Sequence, residues 1–388
     1  MSNHPKTAMF WKPCTVMEAR IEFVLLALQE GSNHRQLCRN FSISPQTGYH
    51  WLKRYATAGL EGLLQDRSRR PLEQPARSVA HTEAEVVALR QQHPAWGGRK
   101  ISRRLQDLGL GGLAPSTVTR ILHRHDLISP DQSRRATPFI RFERDEPNAL
   151  WQADFKGYVI LPQGHCSPFT MMDDHSRFNM ALDACMDLRF VSVQACMERA
   201  FRRYGLPVQI NFDNGPPWGS PSAPGQLTEL GVWLVLLGIR VTHSRPYHPQ
   251  TNGKDERFHR SLKAEVLSGR SFGSVAQIQH ALDIWRNIYN LERPHEALDM
   301  ATPVTRYRPS LRVFPERLRP VDYGPDDQIV TVRWNGELRF AGQRYKVSSA
   351  LHRHEVAVRP KAGEDGIFEV YLAHHKCLTI DLKGGTAR

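Results

Sequence analysis

Three acidic residues stand where an acid has chemistry to do. Asp154 interrupts the apolar run WQADF, Asp213 closes VQINF, and Glu256 opens a helix after the Pro- and Gly-punctuated loop SRPYHPQTNGK. A carboxylate in an otherwise apolar strand is unfavourable without a partner or a cation. Three of them, brought together from separate elements, would form an oxygen-rich cage for hard cations such as Mg²⁺ or Mn²⁺. Two such ions suit an in-line phosphoryl displacement, one activating the attacking oxygen and the other stabilising the leaving oxygen. Taken alone, Glu256 has a plainer reading, because the helical phase stacks it with Arg260 and Lys263 on one solvated face. Fifty-eight residues separate Asp154 from Asp213 and 42 separate Asp213 from Glu256, and spacing alone does not bring the three together.

The elements that must position these acids begin near Leu150. FKGYVILP (155–162), PFTMMD (168–173) and RFNMALDA (177–184) have the lengths and turn breaks of three consecutive strands in an antiparallel meander, with Asp154 in the first. A helix over 189–204, strand VQINF, a helix over about 226–237 and strand IRVTHS follow, and then the helix of Glu256, capped by Thr251 or Asn252. The order βββ-α-β-α-β-α predicts a mixed α/β layer with helices covering a sheet. Asp173, Asp174, Asp183 and Asp187 fall near strand ends, and the first two read as turn-forming or salt-bridged. In the helix over 273–290, Ile278, Leu282, Trp285 and Ile288 predict a packing face.

Outside this middle segment the chain is basic. Its 388 residues carry a net charge of +13, with +8 over residues 1–150, zero over 151–300 and +5 over 301–388. Two basic flanks predict contact with a polyanion. In the first flank, helices over 16–30, 33–41 and 44–59 form a helix-turn-helix pattern, with Ser44 capping and Pro45 at the first position of the last helix. Gln46, Thr47, His50, Lys53 and Arg54 are the DNA-reaching candidates there, while Tyr49, Trp51 and Leu52 read as core. A basic linker follows, in which Arg67, Arg69 and Arg70 could track the DNA backbone or minor groove. The pattern then repeats with helices in 82–92, 96–109 and 113–128, Ser116 capping the last; Thr117, Thr119 and Arg120 are the candidate base contacts and Arg124 a phosphate contact. The tail from about 320 holds short strand-like runs joined by hairpin turns at Asn335-Gly336 and Ala341-Gly342.

The expected organisation is therefore a first helix-turn-helix domain over 1–60, a basic linker over 61–78, a second helix-turn-helix domain over 79–128, a linker over 129–148, an α/β core over 149–310 and an all-β module over 311–388. The apolar run at 232–239 is far too short for a membrane span, and the N-terminus has no apolar signal core. Six scattered cysteines suit reduced thiols, and His34 with Cys38 lacks the partners of a zinc site.

WQADF (151–155), NFDNG (211–215), HPQTNGKDERFHRSLKAE (248–265), YNLERPHEAL (289–298) and TPVTRYRPS (302–310) together resemble the retroviral-integrase-type catalytic core of bacterial insertion-sequence transposases. The helix-turn-helix pair, including the linker GLEGLLQDRSRRP, fits the same pattern, and the tail fits it more loosely. The resemblance implies a ribonuclease-H-like core with a mixed five-stranded sheet and a C-terminal SH3-like barrel. It implies Asp154, Asp213 and Glu256 as both catalytic residues and ligands of two Mg²⁺ or Mn²⁺ ions. The Gly-Lys-x-Glu-Arg pattern selects Glu256 over the adjacent Asp255. The gap before Glu256 exceeds the family's usual spacing, and the insert PPWGSPSAPGQ (216–226) accounts for the excess as a surface loop. Lys254, Arg257, Arg260 and Lys263 flank the acid and become candidates for gripping a DNA end. Implied too are double-stranded DNA partners (terminal inverted repeats and target), a homo-oligomer on DNA, no membrane, and a place in the bacterial cytoplasm at the nucleoid. The activity implied is end cleavage and strand transfer. A catalytically silent DNA-binding regulator would have no need of the complete triad, and a nuclease that only hydrolyses would have no need of two DNA-reading modules.

Overall fold

The structure is a computed structural model that describes residues 15–64, 78–128, 143–219, 226–244, 253–384 and the backbone of 386–387. The chain forms two compact units, Met1–Arg77 and Ser78–Arg388. In the first, α1 (Val16–Ala27) starts at a capping box between Thr15 and Glu18, α2 (His34–Asn40) is capped by Asn33, and α3 (Pro45–Ala58) by Ser44, before the single turn α4 (Glu61–Leu64). Phe23, Val24, Cys38 and Leu63 are its fully enclosed apolar residues. Arg67, Arg69 and Arg70 lie outside the described residues.

The second unit opens with a second three-helix module, α5 (Ala80–Gln92), α6 (Gly98–Asp107) and α7 (Pro115–Arg124), around Val86, Trp96, Ile101, Leu105, Val118 and Ile121. Helix α7 begins at Pro115 with Ala114 in the capping position, so Ser116 lies inside the first turn instead of capping it. Proline supplies a preset φ and lacks only an N–H that would be unsatisfied there anyway. At the α6–α7 crossing a Cβ on Gly98 would meet Thr119 Oγ1 at 2.3 Å and the Pro115 carbonyl at 2.7 Å, so only glycine allows this approach.

The core sheet has strands β1 (Trp151–Phe155), β2 (Val159–Leu161), β3 (Gly164–Asp173), β4 (Asn179–Cys185), β5 (Gln209–Phe212) and β6 (Arg240–His243). Five of them form the layer β4-β3-β1-β5-β6, with β1, β5 and β6 mutually parallel and β3 antiparallel to both its neighbours. The expected first strand, 155–162, is divided: the central strand is 151–155, and 159–161 pairs only with the start of β3. Gly157, at φ +84, breaks the run between them.

Helices cover both faces, as a sheet buried on two sides requires. Helices α8 (Phe190–Tyr204) and α9 (Glu229–Leu236) pack on Trp151, Ala153, Ile210 and Phe212. On the other face lie α10 (Gly253–Leu262), continued by a π-turn at Lys263–Leu267, and α11 (Val275–Leu291), which meet through Phe258, Leu262, Ile278, Leu282 and Trp285.

The C-terminal part is all β. Strands β7 (Gln328–Thr331), β8 (Glu337–Phe340), β9 (Gln343–Lys346), β10 (Glu355–Pro360), β11 (Ile367–Leu372), β12 (His375–Asp381) and β13 (Thr386–Ala387) make a sheet β13-β12-β11-β10-β7 and a hairpin β8-β9. Among the described residues the pairing leaves β7 and β13 as edges, so this sheet is open. Its apolar residues Leu338, Phe340, Val356 and Val370 join the same cluster as α9. That contact explains the all-round apolarity of the 232–239 run, since a helix apolar on every side is one enclosed on every side.

Candidate active site

Period-2 alternation decides where Asp154 points. Trp151 and Ala153 face α8 and α9, so Gln152 and Asp154 face α10. Strands β1 and β5 pair in parallel with Trp151 opposite Ile210 and Gln152 opposite Asn211. Carried two residues further, that register sets Asp154 opposite Asp213, on neighbouring strands about 4.8 Å apart. Both acids sit at the carboxyl ends of their strands, where open α/β sheets form their crevices. Asp154 Oδ1 accepts from the Phe155 main-chain N–H at 2.7 Å, and Asp213 Oδ1 from that of Gly215 at 3.0 Å. Burial pushes the Asp154 carboxyl up to about 6, the Phe155 N–H opposes the shift, and the Asp213 charge adds to it. Two carboxylates that repel in a half-buried site suit a divalent cation, and their oxygens are the hard donors it takes.

Helix α10 lies over this pair. His259 Nδ1 is 3.9 Å from Asp154 Oδ2, and His259 Nε2 is 3.0 Å from Thr170 Oγ1. Burial, aided by the Lys156 charge, pulls the His259 imidazole down to about 4. Asp255 is enclosed on the same side as Phe258 and Leu262; burial holds its carboxyl well above the usual range, and the Asp154 and Asp174 charges act the same way. Glu256 is exposed, one position further round the helix with Arg257, Arg260 and Lys263. Among the described residues no three His, Cys, Asp or Glu side chains are already grouped as a metal site.

Lys254 is not on that exposed row. Its ammonium donates to the Asp174 carboxylate and, at 3.1 Å, to the Asp174 carbonyl. It therefore ties the start of α10 to the β3–β4 turn. Asp174 also accepts from the Arg144 main-chain N–H and from Gln152 Nε2, while Asp173 accepts from Asn148 N, Ser176 N and Ser176 Oγ. Both acids thus hold the turn together, as their place in the sequence predicts. At its far end α10 is fixed by Glu265, whose carboxylate accepts from Trp285 Nε1 at 2.8 Å and Arg293 Nε at 3.0 Å.

Thr170, His259 and Trp218 beside the acids are missed in the sequence. Trp218, in the 216–226 insert, is buried and stacks on Phe212 at 4.6 Å and Phe155 at 5.4 Å. The described start of the insert is thus pinned next to both acids, and the only signal was a tryptophan among Pro, Gly and Ser.

In the first module Gln46, Tyr49, His50 and Lys53 form the exposed row of α3. Tyr49 is 62% exposed and stacks on His34, whereas Arg54 is 8% exposed with its guanidinium over Trp51, so these two exchange the places expected of them. The Thr47 hydroxyl is 2.8 Å from the capping Ser44 hydroxyl. In the second module Arg120 is exposed and reaches back to Thr117 Oγ1 at 3.3 Å. Thr119 turns inward against Gly98, and Arg124 pairs with the buried Glu83.

The sheet order with helices on both faces defines an integrase-type α/β fold. Residues 144–249 and 237–303 each match the family described as integrase core domain, residues 19–71 a helix-turn-helix domain, 47–122 a homeodomain-like domain, and 327–388 the IS481 family transposase C-terminal domain. The matched regions, helix-turn-helix, integrase core and IS481-type C-terminal domain, are the parts of an insertion-sequence transposase with a retroviral-integrase-like core, which supports a DNA transposase with a polynucleotidyl-transferase core. An uncharacterized 31.7 kDa protein of insertion element IS407 from Burkholderia multivorans is 26% identical over 245 residues, covering 59% of this chain and 85% of that protein. An uncharacterized 39.2 kDa protein of IS476 from Xanthomonas euvesicatoria is 26% identical over 253 residues, covering 63% and 69%. Among solved structures, a chain of a simian T-cell lymphotropic virus intasome aligns over 75% of this chain and 97% of its own length, with 18% identity and a TM-score of 0.37.

Proposed function

We propose that this transposase binds the terminal inverted repeats of its element through the two helix-turn-helix modules, cleaves the 3′ ends and joins them to target DNA at Asp154, Asp213 and Glu256. The observation that carries the reading is the parallel β1–β5 register, which carried two residues further sets Asp154 opposite Asp213, with His259 of the helix that bears Glu256 3.9 Å from Asp154. His259 beside Asp154 fixes where α10 crosses the sheet, and Glu256 precedes it by three residues, on an adjoining helical face. Divalent cations, Mg²⁺ or Mn²⁺ as a pair, would be held by these three carboxylates and would supply charge stabilisation at the attacking and leaving oxygens. The chain itself positions the phosphodiester and excludes competing geometries. Arg257, Arg260 and Lys263 would hold the donor end beside the acids. The exposed rows around Gln46, His50 and Lys53, and around Arg120, would read the repeats, and copies of the chain would pair the two ends.

Oligonucleotides carrying the element's own ends test this in Mg²⁺ and then in EDTA. Asp154→Asn, Asp213→Asn and Glu256→Gln are each expected to abolish cleavage and joining while leaving repeat binding within about twofold, since the DNA-reading residues are elsewhere. Joining at the wild-type rate by any of the three removes that residue from the site.

A further inference from the structure

Thr170 lies directly opposite Asp154 in the β1–β3 register and is 2% exposed. Its hydroxyl is 3.0 Å from the Asp154 main-chain carbonyl and 3.0 Å from His259 Nε2. A hydroxyl has one proton, and a carbonyl can only accept. The Thr170 proton therefore goes to the carbonyl, and His259 Nε2 must carry the hydrogen that it donates to the hydroxyl oxygen. In a neutral imidazole this leaves Nδ1 with a lone pair, and Nδ1 faces Asp154 Oδ2 across 3.9 Å. The other oxygen, Oδ1, is already engaged by the Phe155 N–H. Two acceptors thus face one another with no hydrogen between them, so a water beside them can donate to both and an alcohol O–H to one of them.

We propose that Thr170 and His259 are a positioning pair for the reaction: Thr170 fixes the imidazole tautomer, and His259 Nδ1 accepts from the reacting O–H held at Asp154. That group is water during end cleavage and the terminal 3′-hydroxyl during joining. The pair acts beyond the acidic triad, and the proposal rests on the reading of Asp154 as catalytic. It also gives Thr170 a role unlike that of a core residue, because the ring orientation depends on one hydroxyl. The arrangement follows the general pattern in which a residue behind a reactive group sets a histidine's tautomer.

Thr170→Val keeps the shape and removes the hydroxyl, Thr170→Ser keeps the hydroxyl, and His259→Phe keeps a ring without nitrogens. For the full chain on its element ends, Thr170→Val is expected to lower kcat for cleavage about 10- to 100-fold. KM for DNA and the thermal midpoint should stay at wild-type values, with Thr170→Ser restoring the rate. His259→Phe should lose at least as much. The spectroscopic arm is the ¹⁵N shift of the His259 ring, assigned by its loss in His259→Phe: one tautomer in the wild type, a mixture in Thr170→Val. A wild-type rate in His259→Phe, or a single unchanged tautomer in Thr170→Val, overturns the proposal. Asp154→Asn is run alongside, and cleavage by that variant would instead sink the reading on which the proposal stands.

Discussion

At the scale of single residues, the adjacent acids of α10 make the sharpest test. Asp255 shares the buried face of the helix with Phe258 and Leu262, and Glu256 shares the exposed one with Arg257 and Arg260. A ligand must reach an open site, so Glu256→Gln is expected to abolish joining. Asp255→Asn, which keeps shape and hydrogen-bonding capacity, should retain at least about a tenth of the wild-type rate. Initial rates on pre-cleaved ends measure both, and the reverse ranking would move the third acid to Asp255. Asp154 and Asp213 stood out in the sequence because an acid in an apolar strand has few alternatives, but that they lie side by side did not. Lys254, Thr119, Arg124 and Arg54 have partners within the protein that the sequence did not show, for one physical reason. Helical phase says which residues share a face, but not which neighbouring element offers a countercharge or a cleft. Asp174 claims Lys254, Glu83 claims Arg124, and the missing side chain of Gly98 admits Thr119.

At the scale of elements, α10 is held at three points: Lys254 at its start, His259 over the sheet, and Glu265 in the π-turn at its end. The last is the one to break for a measurable loss of stability. The Arg293 and Glu265 side chains are 8% and 5% exposed, and Arg293 Nη2 also donates to Ser261 Oγ at 2.9 Å. Removing the guanidinium alone strands a buried carboxylate, so Arg293→Ala should cost about 3–5 kcal/mol. The double variant Glu265→Met/Arg293→Met removes both charges and should cost less, and urea midpoints separate the two cases. A larger loss in the double variant would show that packing, not the uncompensated charge, matters there. Most of the helices and the order of elements along the chain are legible from periodicity and caps, since Ser44, Thr228 and Ser274 cap as expected of their types. The short β2 and the anchoring of Trp218 are not, because both depend on tertiary partners distant in sequence.

At the scale of the whole molecule, the boundaries drawn from composition have different physical standing. The compact units divide at 77/78, so the first helix-turn-helix module is a unit of its own, while the second belongs to the same unit as the α/β core. Its Arg104 pairs with Glu292 at the end of α11, and Lys100 is pulled down to about 8 by burial and the Arg293 charge. The C-terminal sheet is bound more firmly still, through the cluster it shares with α9 and the bond from Ser348 Oγ to the Leu227 carbonyl at 2.7 Å. Truncation should therefore be asymmetric. A chain of residues 78–388 is expected to fold, to melt at the same temperature as the larger unit of the full chain, and to retain metal-dependent nicking of DNA. It should lose at least about tenfold in affinity for the repeat, with a shallower dependence on salt, because the phosphate and base contacts of one module are gone. A chain ending at residue 310 should instead expose Leu230, Trp233 and Leu234 of α9 and aggregate. Calorimetry and salt-titrated binding distinguish these outcomes. A soluble, cooperatively folded 78–310 fragment would show that the all-β module only rests against the core and does not complete it.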